Sequence, residues 1–390
     1  MKSKKCKKIA VGFFAGIFIT LSLVGLTACK QQFTIQEHTF TDAVENIAID
    51  SQTADIEILP ATDGQCRVIS PEYESLYYKV GVQEGTLTVA LEDTRKWYQY
   101  PLFNFELPTL TVYLPETEYK TLSVDASTGD IEISKELQFE NVSIDLSTGD
   151  ADCEALVTES IKIETSTGDI EVENATVKSM ELTATTGDIE VKSVRSEDIT
   201  VNVSTGAVNL EDITCVNLTS EGNTGKFSAN NVQASGTIDV KRTTGNTSLF
   251  NITCANLIST ADTGDLIMDN VVASGDCTIE RTTGSTNLSN MTCANLISTA
   301  DTGDLTMDNV VASGSFTIER TTGNVTFNAC DAAEIEVETS TGSVTGTLLS
   351  DKIFIVRSNT GRIDVPETIT GGKCKITTTT GRIEIEIKVN

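Results

Sequence analysis

Four aspartates hold one position on four successive copies of a short repeat. They are Asp130, Asp150, Asp169 and Asp188, each directly after the glycine of a Thr-Gly pair. Carboxylates stacked at strand spacing, about 4.8 Å, repel one another unless water or a cation lies between them. Calcium, a hard cation that takes oxygen ligands, would be the fitting bridge. Aspartate is equally a favoured turn residue whose side chain bonds nearby backbone. The turn role is the stronger expectation, because the calcium-binding nonapeptide pattern of other β-helices is absent. Later copies also carry Ala207, Lys226, Asn246, Ser285, Ser343, Arg362 and Arg382 at this place. These four aspartates form the candidate ligand ladder, and no cofactor or metal is expected.

Little else could support catalysis. His38 is the one histidine and reads as a solvated linker residue, so histidine-based acid–base or nucleophilic chemistry along the repeats is excluded. Eight cysteines follow Cys29: Cys66, Cys153, Cys215, Cys254, Cys277, Cys293, Cys330 and Cys374. No pair has zinc-ligand spacing. Cys215, Cys254 and Cys293 recur every second copy, about 9.6 Å apart at strand spacing and beyond disulfide reach. They read as small buried hydrophobes. The aromatic group Trp97, Tyr98, Tyr100, Phe103 and Phe105 could stack on sugars, but its expected place is the core of a cap.

Cys29 has a different chemistry. Five lysines among the first eight residues precede the apolar run Ile9 to Leu26, and Leu26-Thr27-Ala28-Cys29 closes it. This order resembles a bacterial lipoprotein signal peptide with its lipobox. The resemblance implies that residues 1–28 are removed and that Cys29 is acylated, anchoring the chain to the extracytoplasmic face of the cell membrane. The net charge of −28 disfavours nucleic acid and anionic headgroups as partners.

The elements that would carry the aspartates come from the repeat itself. Thr-Gly pairs place glycines at Gly129, Gly149, Gly168, Gly187, Gly206, Gly225, Gly245, Gly264, Gly284, Gly303, Gly323, Gly342, Gly361 and Gly381. Every step is 19 or 20 residues, the mark of one supersecondary unit stacked on copies of itself. Around each glycine, apolar and polar residues alternate, as in Ile161-Lys-Ile163 before and Ile170-Glu-Val172 after, which predicts two short strands about a tight corner. The position seven residues before the glycine is apolar in every copy, from Leu122 to Cys374. The expected fold is all-β: a parallel β-helix of about fourteen coils, three-sided, and right-handed from the crossover preference of parallel strands. Residues 29–36 read as a tether, 37–120 as a β-rich cap and 121–390 as the solenoid. Residues 251–289 and 290–328 are near copies, so lengthening is tolerated. Ile383 to Lys388 reads as the rod's last strand, its charges discouraging end-to-end stacking.

The recurring Ser/Thr-Thr-Gly-Asp-Ile-x-Val of Ser166 to Val172 and Thr185 to Val191 resembles the signature of a bacterial family of β-strand-repeat, adhesin-like proteins of unknown function. The resemblance extends to Ile56-Glu57-Ile58, Gly85 to Val89 and Leu114-Pro115. It implies a surface-exposed or membrane-tethered protein without catalytic residues, acting on an unidentified surface protein or glycan. The other class is a polysaccharide-active β-helix lyase or hydrolase. Such an enzyme needs unequal loops to wall a cleft, which intervals of 19 or 20 do not supply.

Overall fold

The computed structural model describes residues 33–95 and 109–388. Lipobox, Cys29 and the aromatic group from Trp97 to Phe105 lie outside the described residues. The described chain is strands and turns, without helix. One coil shows how the rest are built. Strand Ser179–Thr186 ends at the corner Gly187, and Ile189–Lys192 follows. A second corner at Ser193 (φ 54°) leads to a third, short face, where Arg195 bridges Thr176 and Thr214 in parallel. The first face pairs with Leu156–Thr167 on one side and Asp198–Thr205 on the other, in unbroken parallel register. The second pairs likewise with Ile170–Glu173 and Val208–Cys215. The fold is thus a three-faced parallel β-solenoid.

Alternation fills its axis. Met180, Leu182 and Ala184 point inward from the first face, Ile189 and Val191 from the second, and Val194 from the third, all essentially without solvent. Each fully buried large aliphatic contributes roughly 1.5–3 kcal/mol. This continuous core takes the place of a globular one. All eight cysteines from Cys66 to Cys374 are buried free thiols.

The glycines hold the first corner together. A Cβ on Gly168 would lie 1.8 Å from the carbonyl oxygen of Gly149, at a φ of +142°. The corner is therefore a column of backbone in which consecutive coils touch with no room for a side chain.

Two departures from simple stacking occur, one at each end. Strand Gly372–Thr380 pairs with Val325–Thr341 on one edge and with Lys352–Thr360 on the other. Ile383–Ile387 likewise sits between Val344–Leu348 and Ile363–Asp364. The last coil of the chain is thus inserted beneath the one before it, and the outermost rung is 352–364. At the other end Asn46–Thr53 lies between Thr86–Asp93 and Glu118–Thr128, and Asp55–Pro60 between Thr109–Leu114 and Ile131–Ile133. Ile383 to Lys388 is therefore not the terminal strand in space. Phe354, at the apolar position seven before its glycine, is only half-buried because its rung is last.

The ends are finished differently. Near the N-terminus, Thr34–Phe40 runs antiparallel to Cys66–Glu72, and Leu76–Gln83 antiparallel to Thr86–Asp93. These strands cover the first rungs, where a bare end would expose both core and edge. His38 sits in this cover opposite Val68, with Nε2 buried and unpartnered, and is not a solvated linker residue. Strand Thr34–Phe40 begins inside the 29–36 stretch, and parallel stacking starts at Asn46, ahead of residue 121. At the C-terminal end, Lys352–Thr360 pairs on one edge alone among the described residues.

Candidate functional site

The structure brings the four aspartates into one column and gives each a bond. The Asp130 carboxylate accepts the backbone N–H of Asp150 at 2.9 Å, and Asp150 that of Asp169 at 2.7 Å. Asp169 accepts from Asp188, and Asp188 from Ala207, each at 2.7 Å. Upstream, Asp55 does the same for Asp130. One carboxylate oxygen per coil is thus committed to satisfying a backbone donor that the corner leaves free. Neutral residues fill the same role higher up: Asn246 accepts from Asp265 at 3.0 Å, and Asn324 from Ser343 at 2.9 Å. A neutral side-chain oxygen thus serves this bond as well as a carboxylate does. Asp150→Asn combined with Asp169→Asn should therefore leave the melting temperature within a few degrees of the parent. Millimolar calcium should then raise neither protein beyond magnesium at equal ionic strength. A saturable calcium-specific rise, lost in the double variant, would make the column a cation site. Among the described residues no group of three or more His, Cys, Asp or Glu side chains is arranged to hold a metal.

Further ladders were not apparent from the glycine alignment. Six residues after the corner glycine the backbone turns left-handed at Asn231, Asn251, Asn270, Asn290 and Asn309 (φ 51–58°). Asparagine tolerates that region and bonds along the stack, as Asn270 does to Asn251 at 2.8 Å. Asparagine recurring at a fixed offset was the available signal.

The other ladder is buried. Arg242, Arg281 and Arg320 point inward three residues before their glycines, each 4% exposed, with Ala261 and Ala300 at the alternate rungs. Their guanidiniums donate to Ser220, Ser259 and Ser298 at 2.7–2.8 Å and to the preceding carbonyl. Among the described residues no carboxylate pairs with them, and each Nε is buried without a partner. The alternation of arginine with small residues lets each side chain occupy two rungs, and Arg242 lies over the Phe227 ring at 4.9 Å.

Burial shifts the titration of both core populations. It pushes the thiols of Cys66, Cys215, Cys254 and Cys330 up from 9.0 to about 11, and those of Cys153, Cys293 and Cys374 to about 12. The folded chain keeps these protons where the unfolded chain releases them, so this stability is fully present below pH 9 and is lost as pH rises through 11–12. The arginines, lowered from 12.5 to about 10 by burial, act in the opposite sense above pH 10, but are fewer. The melting temperature should fall steeply from pH 9 to 11; a flat profile would place the thiols outside the core.

The recesses of the described surface are open. One of about 550 Å³ lies where Gly371 and Gly372 carry no side chain, lined also by Asp331, Ser350 and Lys352. There the buried Lys352 ammonium meets Asp331 and the Ser350 hydroxyl, each at 2.6 Å. Lys352 lies level with Gly372 in the register, so its side chain crosses the inserted coil to reach the coil beyond. The charges answer each other, and Ser350 also donates to Asp331 at 2.9 Å.

The outermost rung differs from the rest of the surface. Ile353, Ile355 and Ile363 are 42–53% exposed and Ile369 is 91% exposed. An apolar cluster beside an uncovered strand edge is the usual look of a contact surface.

Comparison with known proteins bears on this architecture. The Toastrack DUF4097 family model matches residues 44–217, 213–352 and 289–390, almost the whole described chain. The chain belongs to the Toastrack DUF4097 family. The Toastrack match spans both interlocked ends as well as the regular coils. None of the curated proteins compared with the chain matches it. Among solved structures, the Toastrack chain is similar to a candidate adhesin of Bacteroides fragilis at 14% identity, over 60% of this chain and 96% of that one, with a TM-score of 0.33. A candidate adhesin of Parabacteroides merdae is 12% identical over 61% and 97%, with a TM-score of 0.37. A candidate cell adhesion protein of Clostridium sporogenes is 9% identical over 91% and 100%, at 0.16.

Proposed function

We propose that this Toastrack protein is a lipid-anchored solenoid of the bacterial cell surface that acts by contact, as an adhesin-like or envelope-stress interaction module, without catalysis. The observation that carries this reading is the asymmetry of the rod. One end is covered by antiparallel strands and begins a few residues from Cys29, while the other is an open rung with exposed isoleucines. A lipid on Cys29 would hold the covered end at the membrane and present the open end outward. The even coils support contact over chemistry, since no loop between them walls a deep cleft. The partner expected is a surface protein or glycan.

The anchor is tested by Cys29→Ala in the full chain. The parent should take up labelled acyl chains and partition into detergent, and the variant should do neither. Equal labelling of both would remove the lipoprotein reading. Contact is tested by photo-crosslinking on intact cells from positions at the open end and from mid-rod; adducts confined to mid-rod, or none at either place, would remove the contact reading.

A further inference from the structure

The open rung has three properties that together specify what fits it. The first is a backbone edge. Along the rod the inward residue seven before a glycine turns its N–H toward the next coil out, as Leu257 does to Asp276 and Cys277 to Asn295, so Phe354, which holds that position, and Val356 face away from the neighbouring strand. The N–H and C=O groups of Phe354 and Val356 then face outward along the rod axis, with no strand among the described residues beyond them. The second is an unfinished core: Phe354 and Val356 point to the axis but are half-buried, leaving room for apolar side chains one rung further out. The third is charge. Residues 349–390 carry a net charge of +2, in a chain whose total is −28. Arg357 is exposed on the outer face of the edge strand itself.

We infer that the strand Lys352–Thr360 is a docking edge for an extended acidic segment of another protein, which adds as one more rung with apolar residues turned inward and carboxylates outward. Strand addition draws its affinity from main-chain bonds and its selectivity from alternate side chains. The rod's own coils show the required pattern, as in Ile170-Glu171-Val172-Glu173, where Ile170 and Val172 are buried. Inward apolar residues would cover Phe354 and Val356, and outward carboxylates would lie beside Arg357. A second copy of this chain is the poorer occupant, because two open ends meeting face to face bring like net charge together. This inference rests on the contact reading and adds to it the location and the chemistry of the partner.

The test uses the full chain in detergent and a soluble nine-residue peptide alternating valine and glutamate, with a lysine-for-glutamate peptide as control. Fluorescence anisotropy should show the acidic peptide binding at least about ten-fold more tightly than the basic one, with the difference shrinking at high salt. Val356→Pro removes a donor from the free edge alone, a place where proline is tolerated. It should weaken binding at least about ten-fold with an unchanged melting temperature. Arg357→Glu, an exposed substitution, should reverse the preference between the peptides. Equal binding of both peptides, or full binding by Val356→Pro, would overturn the inference. So would a concentration-dependent dimer in sedimentation that Val356→Pro abolishes, which would assign the edge to a second copy. Peptide failure alongside crosslinks from the open end on cells would sink the acidic-strand inference and leave the contact reading standing.

Discussion

Gly168→Ala should cost on the order of 3 kcal/mol and lower the melting temperature well beyond an ordinary surface change. Two effects add at this position. The backbone φ of +142° is one that side chains other than glycine rarely adopt, and the new methyl would sit 1.8 Å from the Gly149 carbonyl oxygen, a backbone atom that cannot swing aside. Relief requires the two coils to part, which weakens the parallel ladder on both faces flanking the corner. Gly64→Ala is the control: its φ is +71°, but nothing lies within 4 Å of the added carbon, so about 1 kcal/mol from conformation alone is expected. Equal losses for the two variants in chemical denaturation would mean that close coil contact is not what the glycines provide.

Asp331→Ala should be the most damaging single change at the open end, with a loss of about 3 kcal/mol. Lys352 is 2% exposed, and its ammonium would be left with only the Ser350 hydroxyl. A buried charge without its counter-charge is far costlier than an apolar pair of similar size. Combining Asp331→Ala with Lys352→Met should therefore recover much of the loss. Hydrogen exchange read along the chain would locate the effect, with protection falling first at 352–360 and 372–380. A single variant with unaltered exchange there would show that the ion pair does not fasten the outer rung to the coil two steps in.

The repeat made the solenoid legible because parallel stacking imposes the same demands on every rung. A position that must face the axis stays apolar from Leu122 to Cys374, and a corner without room for a Cβ stays glycine. The aspartate column was legible as a ladder, but each carboxylate bonds the backbone N–H of the following coil and not of its own turn. Less could be seen where a feature does not recur in every copy. Arg242, Arg281 and Arg320 occupy an inward position that a polarity pattern assigns to small or apolar side chains. Their burial depends on Gly222, Ala261 and Ala300 making space one rung away, a relation between coils that no single repeat displays. The ends were hidden for a related reason. Gly361 and Gly381 carry the same signature as their predecessors, and nothing local to either says which coil lies outside the other. The clue lies in Gly371-Gly372 and Lys352, a pair of missing side chains and one long enough to cross them.

Interlocked termini constrain the ancestry of such a rod. A copy appended after the last coil would meet a slot already filled, and one placed ahead of Asn46 would collide with the same arrangement at the other end. Between them every rung is bounded by sequential neighbours on both sides, so a duplicated segment of whole coils can be spliced in while each junction keeps its register. The near-identical segments 251–289 and 290–328 lie in that interior. Lineages of this protein should therefore differ in reach by multiples of about 20 residues inserted at mid-chain, while both extremities, the antiparallel cover at one and the Gly371-Gly372 slot at the other, are inherited intact.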